Sequence, residues 1–419
     1  MLAAFLLLPI YAQTTTNGSK LSHEVKLTSG WVFYSPETPR IDIQVKNTDD
    51  IKRSENLQLT VSTDKRTPVY SFAQQTIIYP NDSAMISFSF GLPTPGFYRC
   101  SLSSDSTIIR NFNIGYEPEA IVSLPDNKPD LDEFWEKAKK ELATVAPDYK
   151  LTLLPGKPGD KRKIYKVTMR SLENAEISGY YCVPEKKGKY PVIVSYMGYG
   201  SKPWLPNPAD NPEMAEFILS TRGQGLNQPG NIYGDWITFE LGNKDKYYYR
   251  GAFMDLIRAI DFVSSRPETD TLNIFAEGGS QGGAFTLAAC ALDRRITAAA
   301  PTIPFLSDYP DYFSIVNWPA EPVQKKQAEL KLTDKQLYET LSYFDIKNLA
   351  HKITCPVIMA VGLQDEVCPP HTNFAGYNRI HSEKEFYIFP ENGHNVPDQW
   401  WQIRYVFFEK HRKQINRTK

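Results

Sequence analysis

The first quarter of the chain alternates between apolar and polar residues, which is the period of a β-strand with one buried face. The alternation recurs in five short stretches, at 41–45, 57–61, 86–90, 97–102 and 108–114. Turn residues separate these stretches, as in the Pro-Thr-Pro-Gly segment at 93–96. Six or seven short strands within about 95 residues predict a small β-sandwich of the immunoglobulin type.

Beyond about residue 116 the pattern changes to short apolar runs that alternate with stretches of helical period. The helix predicted at 131–142 places Leu131, Phe134 and Leu142 on one face. Further helices are predicted at 252–265, 282–292, 371–380 and 399–411, and strands at 164–169, 177–183, 192–195, 272–275, 298–303, 357–361 and 386–389. This alternation predicts a mostly parallel sheet with helices on both faces.

The composition is that of a folded chain without a strong charge bias. Its 419 residues suggest two or three domains, and we expect a leader and linker at 1–19, the sandwich at 20–115 and an α/β domain at 116–419. The 47 basic and 48 acidic side chains leave a net charge of −1. Since there is also no polybasic block, a nucleic-acid partner is not expected.

The N-terminal segment resembles a secretory leader. Apolar residues dominate positions 2–10, and the small residue Ala12 follows, which predicts a cleavage site after Ala12. A disordered apolar tail is the alternative. No later segment reaches the roughly 18 apolar residues that a membrane span needs. We therefore expect a secreted or periplasmic protein without a membrane anchor.

The cysteines indicate neither disulfides nor a metal site. There are five of them, an odd number, and none has C-x-x-C spacing. Cys355 and Cys368 flank a predicted strand, which should hold them roughly 15 Å or more apart, too far for a disulfide. No cofactor is expected.

The stretch AEGGSQGG at 276–283 matches the motif G-x-S-x-G around Ser280. It lies between a predicted strand and a predicted helix, where such a turn exposes a serine hydroxyl for nucleophilic attack. A phosphate-binding loop would require a lysine after the glycines, and a dinucleotide loop would lie near the start of the fold. The placement therefore favours Ser280 as a nucleophile.

A serine nucleophile needs a base and an acid, which in this architecture follow it in the order acid, then histidine. His394 lies in a polar loop after the last predicted strand, whereas His371 and His381 fall on a helical pattern. Asp365 follows the strand at 357–361, and Glu366 and Asp308 are the rival acids. We predict that Asp365 holds the imidazole of His394, although an aspartate after a strand is often only a cap.

The attack creates an oxyanion that needs fixed hydrogen-bond donors. The backbone N–H of Gln281, directly after the serine, is the first candidate. The second is the N–H of Tyr199, in the glycine-bearing turn that follows the strand at 192–195. A simple tight turn is the alternative interpretation of the Tyr199 segment.

Seven segments in this order resemble the acetyl xylan esterase/cephalosporin C deacetylase family, a group of α/β-hydrolase carbohydrate esterases. They are GYG at 198–200, RGQG at 222–225, YYYRG at 247–251, GGSQGG at 278–283, PFLSD at 304–308, DEVCPP at 365–370 and GH at 393–394. The resemblance extends from about residue 118 to the C-terminus and leaves the sandwich out. One departure is Met197, where the family often has histidine.

The resemblance implies an α/β-hydrolase fold and gives the same five residues the same roles, with Ser280, Asp365 and His394 as the triad. It also implies short acyl substrates, above all acetyl esters of sugars, and ring-like hexamers, so a homo-oligomer is an open expectation. Five residues near the proposed site are candidates for an acyl pocket or a sugar platform: Trp204, Trp236, Pro304, Phe305 and Trp318. Ordinary core packing is the alternative for each.

The sequence thus predicts a serine esterase acting on acetylated xylan-type oligosaccharides. A serine peptidase of the prolyl oligopeptidase class is the first alternative, but its β-domain is normally a propeller, which needs more strands than residues 20–115 hold. The second alternative is a vestigial hydrolase that only binds sugars.

Overall fold

The chain divides into two compact units between Ile121 and Val122. In this computed structural model, the backbone of residues 12–14 and the whole of residues 20–27 and 30–413 are described. The predicted leader at 1–19 lies outside the described residues apart from that backbone. We call residues 12–121 the sandwich unit and residues 122–413 the α/β unit.

The described part of the sandwich unit consists of nine strands in two sheets. The strands are β1 (Ala12–Thr14), β2 (Leu21–Leu27), β3 (Val32–Phe33), β4 (Arg40–Asn47), β5 (Arg53–Thr63), β6 (Pro68–Ile78), β7 (Ser83–Ser89), β8 (Gly96–Ser104) and β9 (Thr107–Tyr116). One sheet has the order β1-β2-β4-β7 and the other the order β3-β9-β8-β5-β6. All neighbours are antiparallel except β3 and β9.

One apolar core lies between the two sheets, as the alternating pattern predicts. Ile41, Ile43 and Val45 of β4 are fully buried, and the alternate residues of β5 face them from the other sheet. The β-sandwich is therefore confirmed. The alternation did not predict β2, β3 or β6, and β6 alternates poorly because it is an edge strand whose residues are mostly exposed.

The α/β unit contains one sheet and nine α-helices within its described residues. Its strands are β10 (Lys150–Leu153), β11 (Arg162–Arg170), β12 (Glu176–Pro184), β13 (Tyr190–Tyr196), β14 (Ala215–Ser220), β15 (Thr269–Gly279), β16 (Ile296–Thr302), β17 (Val357–Gly362) and β18 (Lys384–Phe389). The helices are α1 (Leu131–Ala143), α2 (Tyr248–Ser264), α3 (Gln281–Leu292), α4 (Tyr309–Ile315), α5 (Ala320–Leu330), α6 (Asp334–Leu341), α7 (Ile346–Leu349), α8 (Pro370–Tyr377) and α9 (Gln399–Lys410).

The sheet is mostly parallel, with the order β10-β11-β12-β14-β13-β15-β16-β17-β18. The six strands from β14 to β18 pair in parallel, and only the β10, β11 and β12 end is antiparallel. Alternate residues of β15 enter different cores: Ile274 and Ala276 pack with α2 and α3, whereas Phe275 packs with α9. Both faces are thus covered, and the predicted α/β architecture is confirmed.

Several short elements of this unit were not predicted. The strand β14 follows a proline-rich loop and carries a charged residue, Glu216, within six residues. The helices α4 to α7 are between four and eleven residues long, too short for a clear helical period. The parallel strands end at the same edge of the sheet, and the loops after β13, β15, β16, β17 and β18 meet there.

Candidate active site

Ser280 lies in a tight turn between β15 and α3, in a backbone conformation that residues other than glycine rarely adopt. Its φ is 57° and its ψ is −120°. Its N–H donates to the carbonyl of Thr302 at 3.0 Å, and its own carbonyl accepts from the amide N–H groups of Phe305 and Ala284, both at 3.1 Å. Hydrogen bonds on both sides of the residue therefore hold the strained turn in place.

The glycines around Ser280 are required where backbone from neighbouring strands comes close. A Cβ atom on Gly282 would lie 2.0 Å from the carbonyl oxygen of Tyr196, and one on Gly278 would lie 2.4 Å from the carbonyl oxygen of Gly282. Gly279 differs, because a Cβ there would meet nothing within 4 Å. The tight approach thus occurs at the two glycines that define the G-x-S-x-G motif and also at Gly283, where a Cβ would lie 2.7 Å from the carbonyl oxygen of Thr302.

His394 and Asp365 lie in the loops that follow β18 and β17, and they are hydrogen-bonded to each other. The Nδ1 atom of His394 is 2.9 Å from Oδ2 and 3.1 Å from Oδ1 of Asp365. The carboxylate is buried and also accepts the backbone N–H groups of Val367 and Cys368, each at 2.8 Å. These donors hold the carboxylate in one orientation. Because Nδ1 of His394 is bonded to the carboxylate, Nε2 is the ring nitrogen that remains for another partner.

The hydroxyl of Ser280 lies beside the thiol of Cys368, with 3.9 Å between Oγ and Sγ. Within the described residues it makes no hydrogen bond to His394. Catalytic hydrogen bonds are often long without substrate and shorten when it binds. Burial raises the pKa of the Cys368 thiol well above its usual range, so this cysteine stays protonated and does not compete as a nucleophile.

Two backbone N–H groups near Ser280, those of Tyr199 and Gln281, have no acceptor among the described residues. Gln281 is the first residue of α3, where helical N–H groups lack intrahelical partners. The turn that contains Tyr199 lies close to the serine, since a Cβ on Gly198 would be 3.9 Å from the Cβ of Ser280. Both amides are available to bind an anionic oxygen.

The sequence did not single out Gln224, whose side chain connects these two donor segments. Its Oε1 accepts from the N–H of Gly200 at 3.1 Å and from Nε2 of Gln281 at 3.2 Å. Gln281 in turn accepts from the hydroxyl of Tyr249 at 3.0 Å, and Gln224 donates to Tyr248 at 2.8 Å. All of these side chains are buried. Their positions inside the segments at 222–225 and 247–251 were the available signal.

Aromatic rings form one wall beside the Tyr199 turn. The Tyr199 ring meets Trp236 and Trp318 edge-on at 5.0 and 5.3 Å, and Trp318 stacks on Phe305 at 5.5 Å. The Tyr199 hydroxyl donates to Asp235. Burial is the main cause that raises the pKa of Tyr199, and this hydrogen bond raises it further. Trp204 is exposed and makes no ring contact within the described residues. Of the five candidate pocket residues, the structure brings Trp236, Phe305 and Trp318 together.

Pro304 belongs to the same loop as Phe305 and packs against the start of α3. A Cβ on Gly283 would lie 3.0 Å from the Cα of Pro304, and the carbonyl of Pro304 accepts from Asn373 at 2.8 Å.

Met197 is buried, and the hydroxyl of Ser220 donates to its sulfur at 3.3 Å. The thioether therefore fills a space beneath the Tyr199 turn.

The rival acids have other surroundings. Asp308 pairs with Lys347 at 2.8 Å and accepts from the hydroxyl of Ser123 at 2.5 Å, whereas Glu366 is exposed. Asp308 also forms a group with Asp311 and His371 in which the potential metal-ligand atoms lie within 4.8 Å of one another. The Lys347 ammonium already balances the charge of Asp308 there.

A comparison with protein families decides the relationship of the chain. Residues 121–412 match the family model described as acetyl xylan esterase (AXE1). The chain belongs to the acetyl xylan esterase family. Members of this family are carboxylic ester hydrolases, and so is this chain.

Individual relatives agree with the family assignment. The acetyl esterase Axe7A of Xylanibacter ruminicola is 31% identical over 315 residues, which cover 72% of this chain and 71% of the relative. The structure of the acetyl xylan esterase from Paenibacillus sp. R4 has 30% identity and a TM-score of 0.66, covering 70% of this chain and 98% of that one. Acetyl xylan esterase 1 from Thermoanaerobacterium sp. JW/SL YS485 has 27% identity and a TM-score of 0.62, with 71% and 98% covered.

The matched region leaves out nearly all of the sandwich unit, which begins well before residue 121. The family relationship therefore accounts for the α/β unit and says nothing about the residues before it. In the described part of the chain, no helix is both long enough and apolar enough to cross a membrane.

Proposed function

We propose that the chain is a serine esterase that removes acetyl groups from xylan-type oligosaccharides or related acetylated sugars. One observation carries the proposal: the imidazole of His394 is bonded to the buried carboxylate of Asp365, at the sheet edge where the strained turn presents Ser280. The family and the acetyl esterases among its relatives support acetyl as the acyl group.

In the first step the Oγ of Ser280 attacks the acetyl carbonyl carbon while Nε2 of His394 takes the hydroxyl proton. Asp365 keeps the proton on Nδ1, so that Nε2 is free to accept, and stabilises the imidazolium that forms. The sugar oxygen leaves with the proton from His394, and acetyl-Ser280 remains. A water molecule, deprotonated by His394, then releases acetate and restores the hydroxyl.

The N–H groups of Tyr199 and Gln281 stabilise the oxyanion of both tetrahedral intermediates. Two observations support this role: neither N–H group has an acceptor among the described residues, and both lie close to Ser280. A preorganised donor of this kind is worth about 10²–10³-fold in turnover. The N-terminal end of α3 adds a favourable dipole at the same position.

The aromatic wall gives the site its substrate preference. Phe305 is buried, and its backbone N–H donates to the carbonyl of Ser280 at 3.1 Å. Its ring therefore lies close enough to the serine to limit the space for the acyl group. Trp318 stacks on Phe305 but is 39% exposed, which leaves an apolar surface for a sugar ring. A short acyl group on a sugar fits both features.

We also propose a secreted or periplasmic location, supported by the leader-like composition of residues 2–12. N-terminal sequencing of the protein produced in its own cells tests this location. A mature protein that begins at Gln13 would support it, and a protein that retains Met1 would contradict it.

The function is tested by acetate release from acetylated xylo-oligosaccharides, with Xaa-Pro amides as the peptidase substrate. We expect acetate release and no amide cleavage. Ser280→Ala should lower turnover by ~10⁴-fold or more, whereas Ser314→Ala, an exposed serine on α4, should retain it. Cleavage of the amides in preference to the esters would favour the peptidase alternative, and full esterase activity in Ser280→Ala would contradict the proposed mechanism.

A further inference from the structure

One outer face of the sandwich unit carries almost no charge. It is the solvent side of four strands of the five-stranded sheet, β5, β6, β8 and β9, where outward positions mostly alternate with buried ones. These outward side chains are mainly short hydroxyls and amides: Ser54, Asn56, Gln58, Thr60, Ser62, Ser71, Gln75, Ser101, Ser103, Asn111 and Asn113. We call this surface the amide–hydroxyl face. Ala73, Ile77, Ile108 and Arg99 also belong to it, and Phe97 lies on the same side but is buried.

The groups of this face form ordered rows across the strands. Thr60 of β5 pairs with Ser71 on one side and with Ser101 on the other, and Ser101 pairs with Asn111. Neighbouring strands are about 4.8 Å apart, so one row presents a hydrogen-bonding group at each such step. Gln58 donates to Ser71 at 3.3 Å, which holds its amide along the surface.

The outer face of the other sheet shows what an ordinary solvated surface looks like in the same unit. Its outward residues include Glu24, Lys26, Arg40, Asp42 and Lys46. They form ion pairs, such as Arg40 with Asp42 at 2.9 Å and Lys26 with Glu24 at 3.5 Å. Charged side chains of this kind keep a sheet soluble and discourage contact with other strands.

The amide–hydroxyl face lacks that protection although it is exposed and includes the edge strand β6. A surface with a single charged residue and many donors and acceptors is complementary to a neutral, hydroxyl-rich polymer. Within one row the groups are separated by the spacing of neighbouring strands, about 4.8 Å, which is on the scale of successive sugar rings. A charged partner, such as nucleic acid or an acidic polysaccharide, would find a single cationic residue, Arg99, on this face.

We propose that the amide–hydroxyl face binds a neutral polysaccharide main chain, the polymer whose acetyl groups the α/β unit removes. The inference rests on the proposed function for the choice of polymer. Within the described residues, the one aromatic ring on this side of the strands, Phe97, is buried. Binding therefore relies on hydrogen bonds and is weak for each sugar, and it gains strength from contact with several sugars along one chain.

The test is sedimentation of the full chain with insoluble acetylated xylan, comparing the parent with Gln58→Ala/Gln75→Ala. The matched control is Gln44→Ala, which removes an amide from the outer face of the other sheet. We expect the double variant to bind about three- to tenfold more weakly and the control to bind like the parent. Hydrolysis of 4-nitrophenyl acetate should be equal in all three proteins. Binding should change little between low and high salt, because no ion pairs form.

Three results would overturn the inference. The first is a parent chain that releases acetate from soluble acetylated oligosaccharides but does not sediment with xylan, which leaves the esterase function intact. The second is equal binding by the double variant and the parent. The third is a change of oligomeric state in the double variant, which would identify the face as a contact between copies. Sedimentation without any acetate release would instead contradict the esterase function and leave the binding face supported.

Discussion

Left-handed backbone conformations occur on side-chain-bearing residues in both units, but in different surroundings. In the sandwich unit they fall on Arg66, Asn81, Asp105, Ser106 and Glu117, all at turns and almost all exposed. At the sheet edge of the α/β unit they fall on Ser280 and on three buried residues of the loop after β16, which are Ile303, Leu306 and Asp308.

The difference separates two uses of the same conformation. In the sandwich turns, polar residues tolerate it because their short side chains bond locally. At the sheet edge a β-branched residue, Ile303, adopts it with a φ of 41°, which costs about 1–3 kcal/mol. Such strain persists only where the surrounding structure enforces it, and here that structure surrounds the proposed nucleophile. The strain thus marks the edge at which the chemistry is proposed.

Among substitutions that retain Ser280, the largest effect is expected from Asp365→Asn. The amide keeps the shape of the carboxylate but favours the wrong imidazole tautomer, so turnover should fall by about 10³–10⁴-fold with little change in stability. Steady-state kinetics with 4-nitrophenyl acetate measures this fall. The control is Glu366→Gln, the exposed neighbour, which should retain activity. A loss in the control as large as in Asp365→Asn would contradict the assignment of the acid.

A smaller effect, on stability, is expected where the turn that contains Ser280 meets the end of β13. Gly282→Ala places a Cβ 2.0 Å from the carbonyl oxygen of Tyr196, so it should lower the free energy of unfolding by about 3 kcal/mol. Gly279→Ala meets no atom within 4 Å and should change it by less than about 1 kcal/mol. Chemical denaturation of the two variants makes the comparison. Equal losses would mean that close approach does not explain the glycine at 282.

The smallest effect is expected in the sandwich unit. Asp105 and Ser106 join β8 to β9 with φ values of 42° and 71°, a turn of the type that prefers glycine at its second position. Ser106→Gly should therefore stabilise this hairpin by about 0.4–1 kcal/mol and leave esterase activity unchanged. Hydrogen exchange of the β8 and β9 amides measures the gain.

Ser103→Gly, within β8, is the matched control for Ser106→Gly. It should have the opposite sign, because glycine weakens a strand interior. If both substitutions stabilised the hairpin, or if neither did, the backbone conformation of Ser106 would not explain the effect. The contrast between the sandwich turns and the sheet edge would then lose its support.

Local patterns were sufficient to predict much of the fold. The alternation in β4 and β5 predicts the buried face because every second residue enters one core. The strand, turn and helix around Ser280 were predicted because glycines at 278 and 282 report a close approach of backbone. His394 and Asp365 were paired by their chain order and by their positions after predicted strands, and the structure brings them within hydrogen-bonding distance.

Contacts between distant segments were not predictable in the same way. Gln224 lies 57 residues before Gln281. Its place in the segment 222–225 indicates a role, but not that its side-chain amide accepts both the N–H of Gly200 and the side-chain amide of Gln281. The thiol of Cys368 beside Ser280 is a contact across 88 residues. Trp204 shows the converse. It lies near a motif in the sequence, but in the structure its ring does not reach the aromatic wall. Such relations depend on how loops cross at the sheet edge.

The central claim is that Ser280 is activated as a nucleophile at this edge, and labelling with a fluorophosphonate probe tests it most directly. The probe forms a covalent bond only with an activated serine, and peptide mass spectrometry identifies the residue that carries it. We expect stoichiometric labelling of the peptide that contains Ser280 and greatly slowed labelling in His394→Ala. A folded, unlabelled parent protein, or a label on any other serine, would contradict the account.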